Sequence, residues 1–420
     1  MDSFIIRKSG RLRGRVSISG AKNAMLPLMA ASILAEGKSV FDNIPDLRDR
    51  RTMARLLEML GVRVEFADSR LTADASSIES EEAPYSLVKQ MRASIYVLSP
   101  LLARQGHARV SLPGGCAWGP RPIDQHLKGL TALGARIRID HGYIEASAKK
   151  LRGAEIILAV PSVGATVNIM MAAVMAEGKT VIENAAREPE IVNLADALKK
   201  AGAIINGEGS ATIEIEGVRE IRPLESSVIP DRIEAGTFAA AAVITGGRVE
   251  IENCNPGHLH AVIEKFRDCG ADIEIGENRL TVAGPRKRTV PSDVDTGYYP
   301  SFPTDMQAQV MAVLCLADGS STVVENIYAD RFSHVPELNR LGAEIHVDGN
   351  VAVVKGVRRL EGAPVMATDI RASSALILAG LVAEGETKIL RIYHIDRGYE
   401  RIEEKLRALG AEIERVREDH

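Results

Sequence analysis

Aromatic residues are scarce in this chain: they make up 4% of its 420 residues, and Trp118 is the single tryptophan. Aliphatic side chains must therefore fill the core, and the stacking surfaces on which single-stranded nucleic acids are held are in short supply. Charge of one sign is lacking too. A net charge of -4 speaks against a dedicated nucleic-acid binder, which carries a strongly basic domain. No run of apolar residues is long enough to span a bilayer; the greasiest stretch, residues 24–35, is short and contains Pro27. The opening MDSFIIRKSG has no apolar signal-peptide region. Four cysteines (Cys116, Cys254, Cys269 and Cys315) form no C-x-x-C pair, which excludes a disulfide framework and a zinc site and fits a reducing cytoplasm. A soluble enzyme or scaffold of two or three domains is what remains.

What the chain does have is internal repetition. A helix-to-strand junction recurs as LEMLGVRVEF, LTALGARIRI, LKKAGAIING, FRDCGADIEI, LNRLGAEIHV and LRALGAEIERV. Its glycines are Gly61, Gly134, Gly202, Gly270, Gly342 and Gly410. A second marker keeps the same period, at Gly37, Gly106, Gly178, Gly247, Gly319 and Gly385. Glycine directly after an apolar-periodic stretch is a helix stop, because it accepts the left-handed conformation there. The segments GKS and GKT at Lys38 and Lys179 are not phosphate loops, since Ser32 and Ala173 stand where the first glycine is required. Each unit reads as βαβαββ. Units this long are too large for a solenoid, so the expectation is an α/β protein of two domains with three repeats each, divided near SSVIPDRIEAG.

Function should lie where the repeats differ. The starts of the first helices carry Lys22 and Asn23, Arg92, Ser162-Val163-Gly164, Arg232 with Glu234, Asp305, and Asp369 with Arg371. The starts of the second helices carry Arg121, Arg187, Arg331 and Arg397. A helix N-terminus already presents free N–H groups and partial positive charge, so cations there cost stability and acidic residues are preferred. For one arginine, pairing with a neighbouring acid, as Arg371 with Asp369, explains the choice equally well. For the whole set, a shared anionic ligand explains it better, and the guanidinium fork suits carboxylate and phosphate. Asp305 and Asp369 also read as N-caps, which is the default for either. The second repeat departs most, with SLPGGCAWGPRPIDQHL. A loop rich in Gly and Pro is the wrong place for an inert buried thiol, and nearby Arg121 would favour the thiolate of Cys116. Cys254, Cys269 and Cys315 read as inert. His258-x-His260 reads as a solvated helix start, with no metal site.

The segments SGAKNA, MRASIYVL, SLPGGCAWGPRPID, SVGAT, NAAREPEIV, FPTDMQAQ, RFSHVPEL, MATDIRASSALILAG and IYHIDRGYERIEEKLRALGA resemble, in order and from end to end, the enolpyruvyl transferases that act on UDP-N-acetylglucosamine. The resemblance implies an inside-out α/β barrel of six βαβαββ repeats. One domain would span 22–229 and carry the cysteine loop; the other would combine 1–21 with 230–420, with the active site in the cleft between. It implies transfer of the enolpyruvyl group of phosphoenolpyruvate to the 3′-hydroxyl of UDP-N-acetylglucosamine, with release of phosphate, by addition and elimination through a tetrahedral intermediate. This is the first committed step of peptidoglycan synthesis. Carried over residue by residue, Lys22, Asn23, Arg121, Arg331, Arg371 and Arg397 hold phosphoenolpyruvate. Cys116 donates the proton to C3 and forms a covalent adduct with phosphoenolpyruvate. Asp305 takes the hydroxyl proton, and Asp369 supports proton traffic. Arg92, Arg121, Pro122, Ile123, Asp124, Gln125, Ser162, Val163, Gly164, Asp305 and Ile327 hold the nucleotide sugar. No metal or cofactor, no nucleic-acid or membrane partner, a monomer and a cytoplasmic site are implied, as is inactivation by fosfomycin.

Four residues depart from the pattern. Trp118 and Pro120 stand where smaller residues are usual, and Val160-Pro161 replaces a pair that usually begins with Lys or another polar residue, so position 160 offers at most a backbone contact. The sister enzyme that acts on shikimate 3-phosphate lacks a cysteine loop of this form, so Cys116 discriminates against it. The acidic composition and scarce aromatics argue against an RNA 3′-phosphate cyclase, and a repeat-built scaffold would not need cations at several helix starts.

Overall fold

The computed structural model describes residues 2–112 and 123–417. It divides into two compact units, one formed by the chain up to Ser19 together with the chain from Pro230, the other by Gly20–Ile229. Each unit contains three four-stranded sheets of one design. In the third repeat, Glu155–Ile157 runs parallel to Lys179–Glu183. That strand pairs antiparallel with Thr212–Glu216, which pairs antiparallel with Ile204–Asn206. The parallel step needs a crossover, supplied by the helix Val163–Ala173. The helix Pro189–Lys200 then leads to the closing hairpin, so the order is βαβαββ, as expected. The strands alternate: Thr180 and Ile182 of Lys179–Glu183 are buried and Lys179 is exposed.

Two kinds of helix divide the burial. In Arg48–Met59 and Pro189–Lys200 one face is apolar and the other charged. The first helices of the repeats are apolar all round. Ala165 to Ala173 of Val163–Ala173 are all buried, as are Ile233 to Ile244 of Arg232–Thr245 and every residue of Gln307–Leu314. A helix of that kind is stable only when surrounded. Gln307–Leu314 accordingly packs against both Arg232–Thr245 and Ile370–Gly380 within its unit, so their first turns lie together.

The ends of the chain complete the repeats. Asp2–Arg7 lies between Glu386–Leu390 and Glu412–Arg417, antiparallel to both, and supplies the hairpin strand that the sixth repeat lacks. Arg13–Ser17 is the parallel edge strand of the fourth repeat. Glu225–Ser227 does the same for the first repeat by pairing with Lys38–Asp42. The junction glycines do act as helix stops: Gly61, Gly134, Gly202, Gly270, Gly342 and Gly410 have φ between 86° and 110°. The second marker needs correction: of its glycines only Gly106 directly ends an α-helix, while Gly37, Gly178, Gly319 and Gly385 come after helices already ended at Ser32, Val174, Cys315 and Leu381. In the fourth copy the stop is Gly246, at φ 61°, and not Gly247. Gly247 is required for another reason, because a Cβ there would lie 2.3 Å from the Leu12 carbonyl oxygen.

Candidate active site

In the unit that contains the N-terminal strands, the turn Thr304–Met306 delivers Asp305 to the start of Gln307–Leu314. Asp305 does not cap that helix. Its two oxygens are instead held by two arginines: Arg331 Nη2 lies 2.8 Å from Oδ1, and Arg371 Nη2 lies 2.9 Å from Oδ2. Both guanidinium groups are buried, with side chains 8% and 7% exposed. Burial alone would raise the carboxyl pKa, but the Arg371 and Arg331 charges and hydrogen bonds outweigh it and hold the pKa well below the usual range. The local pairing of Arg371 with Asp369 considered from the sequence does not form through the guanidinium. Asp369 is an N-cap: its Oδ1 accepts from the backbone N–H of Arg371 at 2.7 Å and of Ala372 at 3.2 Å. Its Oδ2 accepts from Ser333 and Thr368 hydroxyls.

Neutral groups hold the other side of each guanidinium. Arg331 Nη1 donates to Thr304 Oγ1 at 2.9 Å, and the Thr304 hydroxyl donates to Glu325 Oε2 at 2.9 Å. Glu325 is 1% exposed. Its Oε1 accepts from Thr296 Oγ1 and from the backbone N–H of Ile327 and Tyr328, at 2.9, 2.9 and 3.0 Å. One buried carboxylate thus ties the Asp305 turn to the segment that carries Ile327. On the other flank, Arg371 Nη1 lies 3.3 Å from the Tyr399 hydroxyl. The Thr237 hydroxyl spends its proton on the Ile233 carbonyl, so Tyr399 donates to Thr237 at 2.8 Å and turns its lone pairs to Arg371. Gln309 Nε2 donates to the Asp305 carbonyl at 2.9 Å. Next to this group His334 is buried, with its pKa pushed down by burial to about 4, and is neutral near neutrality. Arg397 ends the turn Ile392–Arg397, two residues before Tyr399.

The unit Gly20–Ile229 holds a second cluster. Lys22 is the first residue of Lys22–Ala31, followed by Asn23. Its ammonium stands 3.7 Å from the carboxylate of Asp49, a side chain only 4% exposed. Arg92 opens the turn Arg92–Val97. Ile123 precedes, and Asp124 opens, the helix Asp124–Ala132. Gln125 Oε1 accepts from the Ala159 backbone N–H at 2.7 Å and so braces the approach to Ser162. Ser162 caps Val163–Ala173 by accepting from Ala165 N at 3.3 Å. Val163 and Gly164 form its first turn, where backbone N–H groups have no helical partner. Behind that turn a buried chain runs from Ser99 Oγ to Asn168 Oδ1 and from Asn168 Nδ2 to His126 Nδ1, each 2.7 Å. That pairing makes Nδ1 the acceptor and leaves the proton on Nε2. Burial, aided by Arg92, pushes the His126 pKa down to about 4. Gly164 has to be glycine here, since a Cβ would lie 2.8 Å from His126 Nε2. Val160 is exposed.

Of the residues named from the sequence, Asp305, Arg331 and Arg371 are in direct contact. Asp369 joins them through the Arg371 backbone and Ile327 through Glu325. Cys116, Arg121 and Pro122, with Trp118 and Pro120, lie outside the described residues. Cys254, Cys269 and Cys315 are buried, and burial pushes their thiols up to about 11, 12 and 12, so they are inert as expected. Sequence reasoning missed Glu325, Tyr399, Asp49 and the His126–Asn168 pair. One of them left a trace: Glu325 directly follows the strand Ser320–Val324 and continues the alternation of Ser321 and Val323 onto one face, and all three are buried.

Two buried arginines thus clasp one carboxylate beside the first turn of a central helix, on a fold of six βαβαββ repeats. Residues 6–406 match the family model for EPSP synthase (3-phosphoshikimate 1-carboxyvinyltransferase), and the chain belongs to this family of carboxyvinyl, or enolpyruvyl, transferases. Within it the similarity is to one branch. The chain is 55% identical over 419 residues to the UDP-N-acetylglucosamine 1-carboxyvinyltransferase of Geobacter metallireducens, covering 100% of both. It is 56% identical over 419 residues to that of Trichlorobacter lovleyi, again covering 100% of both. Among solved structures, the enolpyruvyl transferase NikO from Streptomyces tendae superposes with a TM-score of 0.89 at 26% identity, with 99% of each chain covered. EPSP synthase from Acinetobacter baumannii shares the fold, with a TM-score of 0.73 at 18% identity over 99% of this chain and 100% of that one.

Proposed function

We propose that the protein transfers the enolpyruvyl group of phosphoenolpyruvate to the 3′-hydroxyl of UDP-N-acetylglucosamine and releases phosphate, as the first committed step of peptidoglycan synthesis in the cytoplasm. The observation that carries the acceptor's identity is the end-to-end identity of 55% with carboxyvinyltransferases named for that nucleotide sugar. In this reading groups from both units act on one pair of substrates. Arg331, Arg371, Arg397, Lys22, Asn23 and Arg121 neutralise the carboxylate and phosphate of the donor. Arg92, the stretch Arg121–Gln125, the helix start Ser162–Gly164 and Ile327 hold the nucleotide sugar. The first step adds a proton from Cys116 to C3 of the donor while the 3′-oxygen bonds to C2, and Asp305 takes the hydroxyl proton. The second step returns a proton from C3 to the thiolate left at Cys116 and expels phosphate, which restores the double bond. Asp369 contributes by fixing the Arg371 backbone, which is a positioning duty.

Two features support the reading. Buried arginines converge from separate repeats on the carboxylate that must meet the acceptor hydroxyl, and a general base must lie within hydrogen-bond reach of its proton. Among the described residues no helix is long and apolar enough to cross a membrane. The test is phosphate release from phosphoenolpyruvate with UDP-N-acetylglucosamine or shikimate 3-phosphate as acceptor. Release only with the nucleotide sugar is expected. Release only with shikimate 3-phosphate would overturn the acceptor assignment and keep the reaction. Fosfomycin is expected to label Cys116 alone, and mass spectrometry of the treated protein checks it.

A further inference from the structure

We propose that Asp305 is an internal counter-ion that competes with the donor's anionic groups for Arg331 and Arg371, so that binding of the donor releases the carboxylate for its work on the acceptor. The inference rests on the reading of these arginines as the donor's cradle.

Four observations carry it. First, each arginine commits one nitrogen to a different oxygen of the same carboxylate, at 2.8 and 2.9 Å. Two buried cations need counter-charge when no substrate is present, and Asp305 supplies the carboxylate that both contact directly. Second, Asp305 has no other structural duty in its turn. Asp369, at the same place one repeat later, caps its helix with two backbone N–H groups, whereas the Asp305 side chain caps nothing. Third, the arginines are held independently of Asp305. Arg331 Nη1 is fixed by Thr304 and Arg371 Nη1 by Tyr399, both through neutral hydroxyls. Each guanidinium therefore keeps a neutral anchor when the carboxylate leaves. Fourth, the clasp suppresses the carboxylate's basicity, because both arginines stabilise its charge. A phosphate or carboxylate that takes over the arginines restores that basicity only once the donor is bound.

The exchange has a measurable cost. If Asp305 occupies the arginines in about nine molecules of ten, apparent affinity for the anion falls about tenfold. Inorganic phosphate is the probe, since it cannot form an adduct with a thiol. Calorimetric titration into the full-length protein, Asp305→Asn, Asp305→Ser and Arg331→Gln decides the matter. Both Asp305 variants are expected to bind phosphate about tenfold or more tightly than the parent, and Arg331→Gln more weakly. Circular dichroism establishes which variants are folded, and either Asp305 variant alone is sufficient. If Arg331→Gln weakens binding while a folded Asp305 variant binds phosphate equally or less tightly, Asp305 organises the arginines and the counter-ion inference is overturned. If none of the four proteins responds to phosphate, the donor assignment of the arginines falls, and the inference with it; a response confined to the Asp305 variants bears the inference out.

Discussion

Glu325 offers the sharpest test of how the candidate site is held. Glu325→Ala removes the acceptor for four donors: the hydroxyls of Thr296 and Thr304 and the backbone N–H groups of Ile327 and Tyr328. A buried donor left unpaired costs about 1–3 kcal/mol. Ile327 and Tyr328 are half-buried, so water can reach their N–H groups and most of the cost falls on the two hydroxyls. The expected loss is about 3 kcal/mol. Glu325→Gln keeps one oxygen for the three donors on Oε1 but presents a second donor to Thr304, so its expected loss is about 1 kcal/mol. The functional effect should be larger than the stability effect implies. Once the Thr304 hydroxyl turns to find another acceptor, Arg331 loses its neutral anchor, and the Michaelis constant for phosphoenolpyruvate should rise about tenfold with a smaller change in kcat. Denaturant unfolding followed by circular dichroism reads the first quantity. Hydrogen exchange in the 320–331 segment shows whether the loss is local. Steady-state phosphate release with the donor varied reads the second. A Glu325→Ala protein that loses less than about 1 kcal/mol and keeps its Michaelis constant would refute the relay from Glu325 through Thr304 to Arg331.

Three further outcomes are expected. In Lys405→Met the carboxylate of Glu234, 2% exposed and 2.6 Å from the Lys405 ammonium, is left uncompensated, at a cost of about 3–5 kcal/mol. Burial raises the Glu234 pKa above the usual carboxylate value, and loss of the Lys405 charge raises it further; the variant's deficit should therefore be smallest in acid, where the group is protonated in both proteins, and grow as pH rises, and Glu234→Gln on top should remove most of that pH dependence in denaturant titrations. Tyr399→Phe removes the acceptor for Arg371 Nη1 and should cost about 1 kcal/mol, with a severalfold higher Michaelis constant for phosphoenolpyruvate in the phosphate-release assay. In native protein at about pH 8, iodoacetamide should leave Cys254, Cys269 and Cys315 unmodified, because thiols raised to about 11 and 12 are thiolate in about one molecule in a thousand or fewer; mass spectrometry of the alkylated peptides checks this.

The architecture was legible because it is repeated. A helix stop needs glycine wherever the backbone turns left-handed, so the same signal appears in every repeat and the period can be counted. The fourth copy shows the limit. Gly246 and Gly247 are adjacent, and only the approach of Leu12, just before a strand more than two hundred residues earlier in the chain, separates the residue that stops the helix from the one that must lack a Cβ. The borrowed strands Asp2–Arg7 and Glu225–Ser227 are of the same kind, since pairing across such separations leaves no local pattern. The chemistry divides along the same line. Asp305 and Asp369 occupy matching places and both read as caps. The structure gives the cap to Asp369 and two guanidinium groups to Asp305. No propensity distinguishes them, because the difference lies in which distant arginine reaches which carboxylate. Glu325 sits between these cases. The first, third and fourth repeats place Asn six residues after the marker glycine, at Asn43, Asn184 and Asn253, each with φ between 52° and 55°. In the fifth, Glu325 holds that place and Asn326 follows as an extra residue. Counting from Gly319 therefore puts an acidic side chain on the face of Ser321 and Val323. A charge on a buried face must be satisfied by neighbours or be expelled. The added residue in that repeat was the visible sign that a buried carboxylate had to find partners, and Thr296, Thr304 and the 327–328 backbone are the partners it found.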